Sequence, residues 1–336
     1  MKPGAIDIHT HVEFGGSFDL LKKRYSEEEI FDRFVASVSG RRSAEINRGK
    51  VSAIRDALRD PQEKIRDMDE QGIGLSVLSS TPFGFFYEVE DDLALELARF
   101  QNDRLSEMAK KYPDRFAAMA TLPLQVPEEA LRELGRAVHE LGLRGVEIGS
   151  HVGRWELGHE VFWPVYESLE KLGMPILIHP HHVAGTDRLQ DSYLTNLIGN
   201  PLDTTIAAAN LIFSGVLEKY PGLKIILAHA GGQFPYIIGR MEHGYEVRPE
   251  CREKVHDSPL AFFKNFYFDI ITHNPSALQY LVSFAGSDHV LLGSDYPYDM
   301  GDPDPVKTVS RLPGIKVRDR QRILRDNAIA LFGLKI

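Results

Sequence analysis

LRGVEIGSHVGRWELGHEVFWPVYESLEKLGMPILIHP, residues 143–180, reads as strand, helix, strand. The outer runs LRGVEIG (143–149) and PILIHP (175–180) are short and apolar and contain β-branched residues. Parallel strands covered on both faces have that composition. Between them, segment 162–172 carries apolar residues at helical spacing. The same alternation continues both ways. Upstream lie AIDIH (5–9), GLSVLSST (74–81) and RFAAMATLPL (115–124). Downstream lie KIILAHA (224–230), NFYFDII (265–271) and HVLLGSD (289–295).

Helical patterns fill the intervals at 89–112, 127–142, 203–219, 234–247, 275–286 and 318–332. In the first, Leu93, Leu97, Phe100 and Leu105 follow a period near 3.6. The second opens on Pro127-Glu128 and reaches Gly142, which are start and stop residues for a helix. Eight strands alternating with helices predict an α/β fold of the (β/α)₈ TIM-barrel type. An open doubly wound sheet is the second arrangement compatible with the pattern. The 336 residues exceed the roughly 250 of a plain barrel. Residues 12–60, between the first two strands, hold the surplus. They read as a helical cap inserted over the barrel mouth, within one domain spanning 1–336.

Composition narrows the function. Hydrophobic residues make up 43% and charged residues 26%, as in globular proteins. No apolar run nears the roughly 20 residues of a membrane span, and MKPGAIDIHTH lacks the apolar core of a secretory signal. The net charge is −9, without a basic tract, so nucleic acid and anionic membranes are poor partners. Cys251 is the one cysteine. It can form neither an internal disulfide nor a multi-cysteine zinc site, and it fits a reducing cytoplasm.

Barrel active sites lie at the C-terminal ends of the strands. Here those ends read His9-Thr10-His11, His179-Pro180, His229-Ala230-Gly231-Gly232 and Gly293-Ser294-Asp295-Tyr296-Pro297. His9 and His11 are two apart, so a strand presents both on one face. With His179 and Asp295 they make three imidazoles and a carboxylate. That set suits one divalent ion, Zn²⁺ first, with Mn²⁺ or Fe²⁺ compatible by ligand type. A metal would also remove the cost of burying the Asp295 carboxylate. Strand four offers no lysine to bridge two metals. Its Glu147 reads equally as a bridging carboxylate or a buried ion-pair partner. His229 could be a fifth ligand or a general base beside a water on the metal, and Gly231-Gly232 a close approach to ligand or only a turn. Asp269 is placed to orient a ligand histidine. Substrate-side candidates are His181 and His182, the rings Phe83, Phe85, Phe86 and Tyr87, Tyr298, and Arg240, whose guanidinium can grip a carboxylate bidentately. Each of these has an equally simple structural or surface role.

IDIHTH, ILIHP, LAHAGG and LLGSDYP, together with ALRDP (57–61), IRDMDEQGI (65–73) and ATLPLQ (120–125), resemble the amidohydrolase superfamily. The likeness is greatest to its aminocarboxymuconate-semialdehyde decarboxylase branch and runs through nearly the whole chain. The resemblance implies a mononuclear metal, usually zinc, on residues matching His9, His11, His179 and Asp295, with the proton handled by the residue matching His229. It implies nonhydrolytic loss of CO₂ from a small unsaturated or aromatic carboxylate. It also implies a homodimer, in which an arginine matching Arg240 reaches the neighbouring subunit's substrate. Related members include hydratases and hydrolases, so a metal-dependent hydrolase or hydratase of a lactone, amide or conjugated acid is the alternative; a noncatalytic ligand-binding protein ranks below both. Two departures fall in the substrate pocket. An arginine expected shortly before ALRDP is replaced by Ser52, with Arg48 and Arg55 offset, and His181 stands where that branch often has tryptophan.

Overall fold

In the computed structural model, residues 4–335 are described. Residues 1–3 and 336, part of the single-domain expectation, lie outside them.

The first seven expected strands form in order. Ala5–Val12 pairs in parallel with Ile73–Ser80, which pairs with Phe116–Ala118. The chain then skips one residue. Ala120–Thr121 pairs with Val146–Gly149, followed outward by Ile176–His179, Ile225–Leu227 and Phe266–Phe268. The single residue between the two pieces of the third strand joins both sheets, since Met119 N–H donates to Leu78 and Ala120 N–H donates to Gly145. Residues 290–296 close the ring through isolated bridges, Phe268 to Val290 and Thr10 to Tyr296. The result is a closed (β/α)₈ barrel.

Two departures from a regular ladder matter. The run at 289–295, expected as a strand, makes only those bridges. Its end is drawn out of register by the backbone N–H of Asp295, which donates to the His9 carbonyl at 2.8 Å, and Asp295 adopts φ 59°. In the first strand, Asp7 pairs with Ser76 but Thr10 pairs with Leu78. Three steps on one strand match two on the other, which is a β-bulge at residues 8–9. Ile6 and Ile8 therefore join Leu75, Val77, Leu177, Ile226 and Leu291 in an apolar plug inside the barrel. Past the bulge, His9 and His11 take over the inward face.

Local chemistry sets the helices. Asp60 accepts from Gln62 N–H, Pro61 occupies the first position, and Gly72 ends the helix Pro61–Gln71 in the left-handed region. The expected helices appear as Asp91–Lys111, Pro127–His139, Trp163–Leu172, Asn200–Phe213, Phe234–Val247 and Pro275–Ala285. Residues 15–59 are helical in short pieces, from Gly15–Leu21 to Arg41–Ala53 and Arg55–Arg59. Among the described residues no helix is long and apolar enough to cross a membrane.

Candidate metal centre

His9, His11, His179 and Asp295 each offer one ligand atom, all within 4.8 Å of one another. They come from the first, fifth and eighth strand ends, and all four are buried. His9 Nδ1–H donates to Asp269 at 2.8 Å, His11 Nδ1–H to the Ser80 carbonyl at 3.1 Å and His179 Nδ1–H to the Pro180 carbonyl at 3.0 Å. Those acceptors hold each proton on Nδ1, so each Nε2 turns a lone pair inward. The Nε2 atoms of His9 and His11 then face each other at 3.2 Å, and His179 Nε2 has no partner. Asp295 Oδ1 lies 3.0 Å from His11 Nε2 and 3.5 Å from His9 Nε2.

Electrostatics point the same way. Burial works against a charge on His9, yet Asp269, Asp295 and Glu147 outweigh it and push this imidazole up to about 9, so the surrounding carboxylates call for positive charge at its Nε2, either a proton or a cation in its place. Burial and three neighbouring imidazoles press His179 well below the usual histidine range, which keeps it neutral. Burial disfavours the Asp295 carboxylate, but hydrogen bonds and charge from His11, His229 and His9 hold it ionised. Converging lone pairs among buried carboxylates fit a divalent cation.

Around this cluster the geometry is fixed by Asp269. Its two oxygens accept from His9 Nδ1 and from the backbone N–H groups of His229 and Ala230, at 2.6–2.8 Å. His229 and Ala230 adopt φ 55° and 56°, a conformation that costs non-glycine residues about 1–3 kcal/mol each. His229 Nε2 thereby lies 3.5 Å from Asp295 Oδ2, outside the four-residue group. The glycines after it serve packing: a Cβ on Gly232 would fall 2.0 Å from the Pro201 carbonyl. Gly293 is equally constrained, since its Cβ would meet those of His9 and Asp269 within 3 Å.

His179, His229 and Asp295 form part of the floor of a cavity of about 860 Å³. A family model described as amidohydrolase matches residues 6–334. The chain belongs to the amidohydrolase family. Among curated relatives, a 2-amino-3-carboxymuconate-6-semialdehyde decarboxylase of Dictyostelium discoideum is 35% identical over 276 residues, 82% of this chain and 77% of its own. A gamma-resorcylate decarboxylase of Polaromonas is 32% identical, over 84% of this chain and 90% of its own. Among solved structures, a 5-carboxyvanillate decarboxylase of Novosphingobium aromaticivorans, complexed with manganese and 4-hydroxy-3-methoxy-5-nitrobenzoic acid, superposes with a TM-score of 0.86. The two are 26% identical, over 99% of this chain and 97% of that one.

In this amidohydrolase the other candidates divide. Phe83, Phe86 and Tyr298 line the cavity. Burial and Asp295 push the Tyr298 phenol well above its usual range, so it remains a donor. Phe85 and Tyr87 instead stack on each other behind the wall, and Tyr87 OH accepts from Gly149 N–H. His181 is absent from the lining. It is buried against Phe85 and Tyr87, with Nε2 3.2 Å from Glu88. Arg240 is exposed on the helix Phe234–Val247 and does not reach this chain's cavity. Glu147 is buried 3.9 Å from His11 Nδ1, outside the ligand group. Burial raises its carboxyl to about 7. Arg48, Ser52 and Arg55 all line the cavity. The sequence reading missed its opposite wall, Phe18, Phe31 and Phe34, and also Tyr193. Amphipathic spacing within 15–39 was the available signal for the phenylalanines; nothing local marks Tyr193.

Proposed function

We propose that this amidohydrolase is a metal-dependent carboxy-lyase that removes CO₂ from a small aromatic or unsaturated carboxylic acid. The observation that carries it is the buried set His9, His11, His179 and Asp295, opening onto an aromatic-walled cavity in a chain whose relatives are named decarboxylases. Those four residues would hold a divalent ion, Zn²⁺ in the first instance, which would supply positive charge for the oxygens of the substrate. Phe83 and Phe86 hold a planar substrate between them and the floor, and Tyr298 donates a hydrogen bond to it. The bond between the ring carbon and its carboxyl group breaks, and the electron pair stays on the carbon. That carbon takes a proton as CO₂ departs. His229, beside Asp295, holds and delivers this proton.

Residues 12–60 act as a cap that closes the mouth and excludes water, with Phe18, Phe31 and Phe34 as its inner face. The enzyme works as a homodimer. Tyr236 is 81% exposed, and Tyr280 and Phe284 beside it are also exposed. Arg240 lies one turn beyond Tyr236 on the same helix, and burial of this face would hand its guanidinium to the partner's substrate. The free thiol of Cys251 fits a cytoplasmic location.

The test is mass analysis of products from ion-loaded enzyme supplied with hydroxybenzoates and amino- or hydroxymuconates. A product lighter by one CO₂ is expected. A product heavier by one water would replace this reading with the hydrolase or hydratase alternative.

A further inference from the structure

Among the described residues one other group of side chains could share an ion: Glu88, His181 and His182, with ligand atoms within 4.8 Å of one another. Glu88 follows the second strand, and the two histidines follow the fifth. Nε2 of each histidine lies 3.2 Å from Glu88 Oε1. Only His181 has the alignment of a hydrogen bond. Glu88 Oε2, His181 Nδ1 and His182 Nε2 have no partner at all. Buried polar atoms in folded proteins are normally paired, so the unpaired Glu88 Oε2 and His182 Nε2, beside a carboxylate oxygen that both histidines approach, call for a missing group. The other gathering of orphans is at the cavity floor, where Glu147, His179 and His229 supply them.

The two imidazole rings stand perpendicular, with centroids 4.3 Å apart. Two donors converging on one carboxylate oxygen, one of them misaligned, is a poor hydrogen-bond arrangement. Two lone pairs and a carboxylate around a cation is a good one. The side chain of His181 is 3% exposed, while those of His182 and Glu88 are 20% and 27% exposed. One side of the cluster is therefore open to water, which can complete a coordination sphere.

We propose that Glu88, His181 and His182 form a second divalent-cation site, separate from the cavity floor, that takes a borderline ion such as Zn²⁺ or Co²⁺. Two imidazoles with one carboxylate select that class over Mg²⁺ or Ca²⁺, which prefer all-oxygen shells. The bound ion staples the segment after the second strand to the segment after the fifth. The former carries Phe83 and Phe86 into the cavity wall. The role is structural: it fixes a wall and touches no substrate.

The experiment is equilibrium dialysis of chelator-stripped, full-length protein against Co²⁺, with the ion counted per chain and the visible spectrum recorded. Wild type is expected to hold two ions. Glu88→Gln and His182→Asn are each expected to hold one, with the spectrum of the floor site unchanged, and His11→Ala to keep only the Glu88 ion. Wild type saturating at one ion would overturn the proposal. So would a second ion that survives both Glu88→Gln and His182→Asn. CO₂ release is read separately, so failure here leaves the decarboxylase reading standing.

Discussion

The floor and the helical wall of the cavity are built by opposite means. On the floor His9, His11 and His179 sit in strands of the closed barrel, and each of these imidazoles is anchored through Nδ1 by a buried acceptor. The wall over residues 15–59 consists of short helices, and only the one at Glu27–Phe31 has a side-chain cap, from Ser26. It coheres through a small apolar cluster of its own, Leu21, Tyr25, Ile30 and Phe34 with Phe86, Leu93 and Leu97. That cluster is distinct from the barrel core. A rigid floor suits chemistry that fails when a ligand moves by half an ångström. A wall with a separate core can change its side chains without disturbing that chemistry.

This contrast can be broken by substitution. On the floor, His11→Ala and Asp295→Ala are each expected to remove the ion and CO₂ release together, by at least about 10³-fold in kcat/KM. Retention of ion and turnover in either would dissolve the distinction. His229→Ala is expected to keep the ion and lose about 10²–10⁴-fold in kcat. An emptied site in that variant would make His229 a ligand instead of the proton carrier.

Asp269→Asn sharpens the comparison, because Asp269 touches no substrate. Loss of its charge and reorientation of His9 are expected to lower ion affinity about 10–100-fold, as competition against a fluorescent chelator would measure. Unchanged affinity would mean that His9 is positioned by the bulge alone. On the wall, Phe31→Ala removes apolar surface beside Arg48, whose guanidinium lies 4.2 Å from the ring. KM is expected to rise about 5–30-fold, from roughly 1–2 kcal/mol of lost contact, with ion content and kcat little changed. A kcat effect as large as that of His229→Ala would place the wall within the chemistry.

The legibility of the chain follows the same division. Strand ends were readable because apolar runs stopping at His or Asp have period-two geometry and a fixed end of the barrel to occupy. His9, His11, His179 and Asp295 converge for that reason. The bulge at residues 8–9 was not readable, since one extra residue in a ladder leaves no trace in an apolar run. The eighth strand was overdrawn, because its few bonds to the strands on either side, through His289, Leu291 and Leu292, stop short of a regular ladder and its end turns away at Asp295 in the left-handed region. His181 looked like a pocket residue from its place after His179-Pro180. The turn there sends it behind the wall to Glu88, a partner 93 positions away. Arg240 could be placed on a helix but not on a face that meets this cavity, and it is exposed.

Anomalous diffraction from crystals grown with Zn²⁺ tests the central claim most directly. The expected result is a strong peak about 2.0–2.2 Å from Nε2 of His9, His11 and His179 and from the Asp295 carboxylate. Density for those four side chains collapsed onto one another with no peak between them, at saturating Zn²⁺, would contradict it.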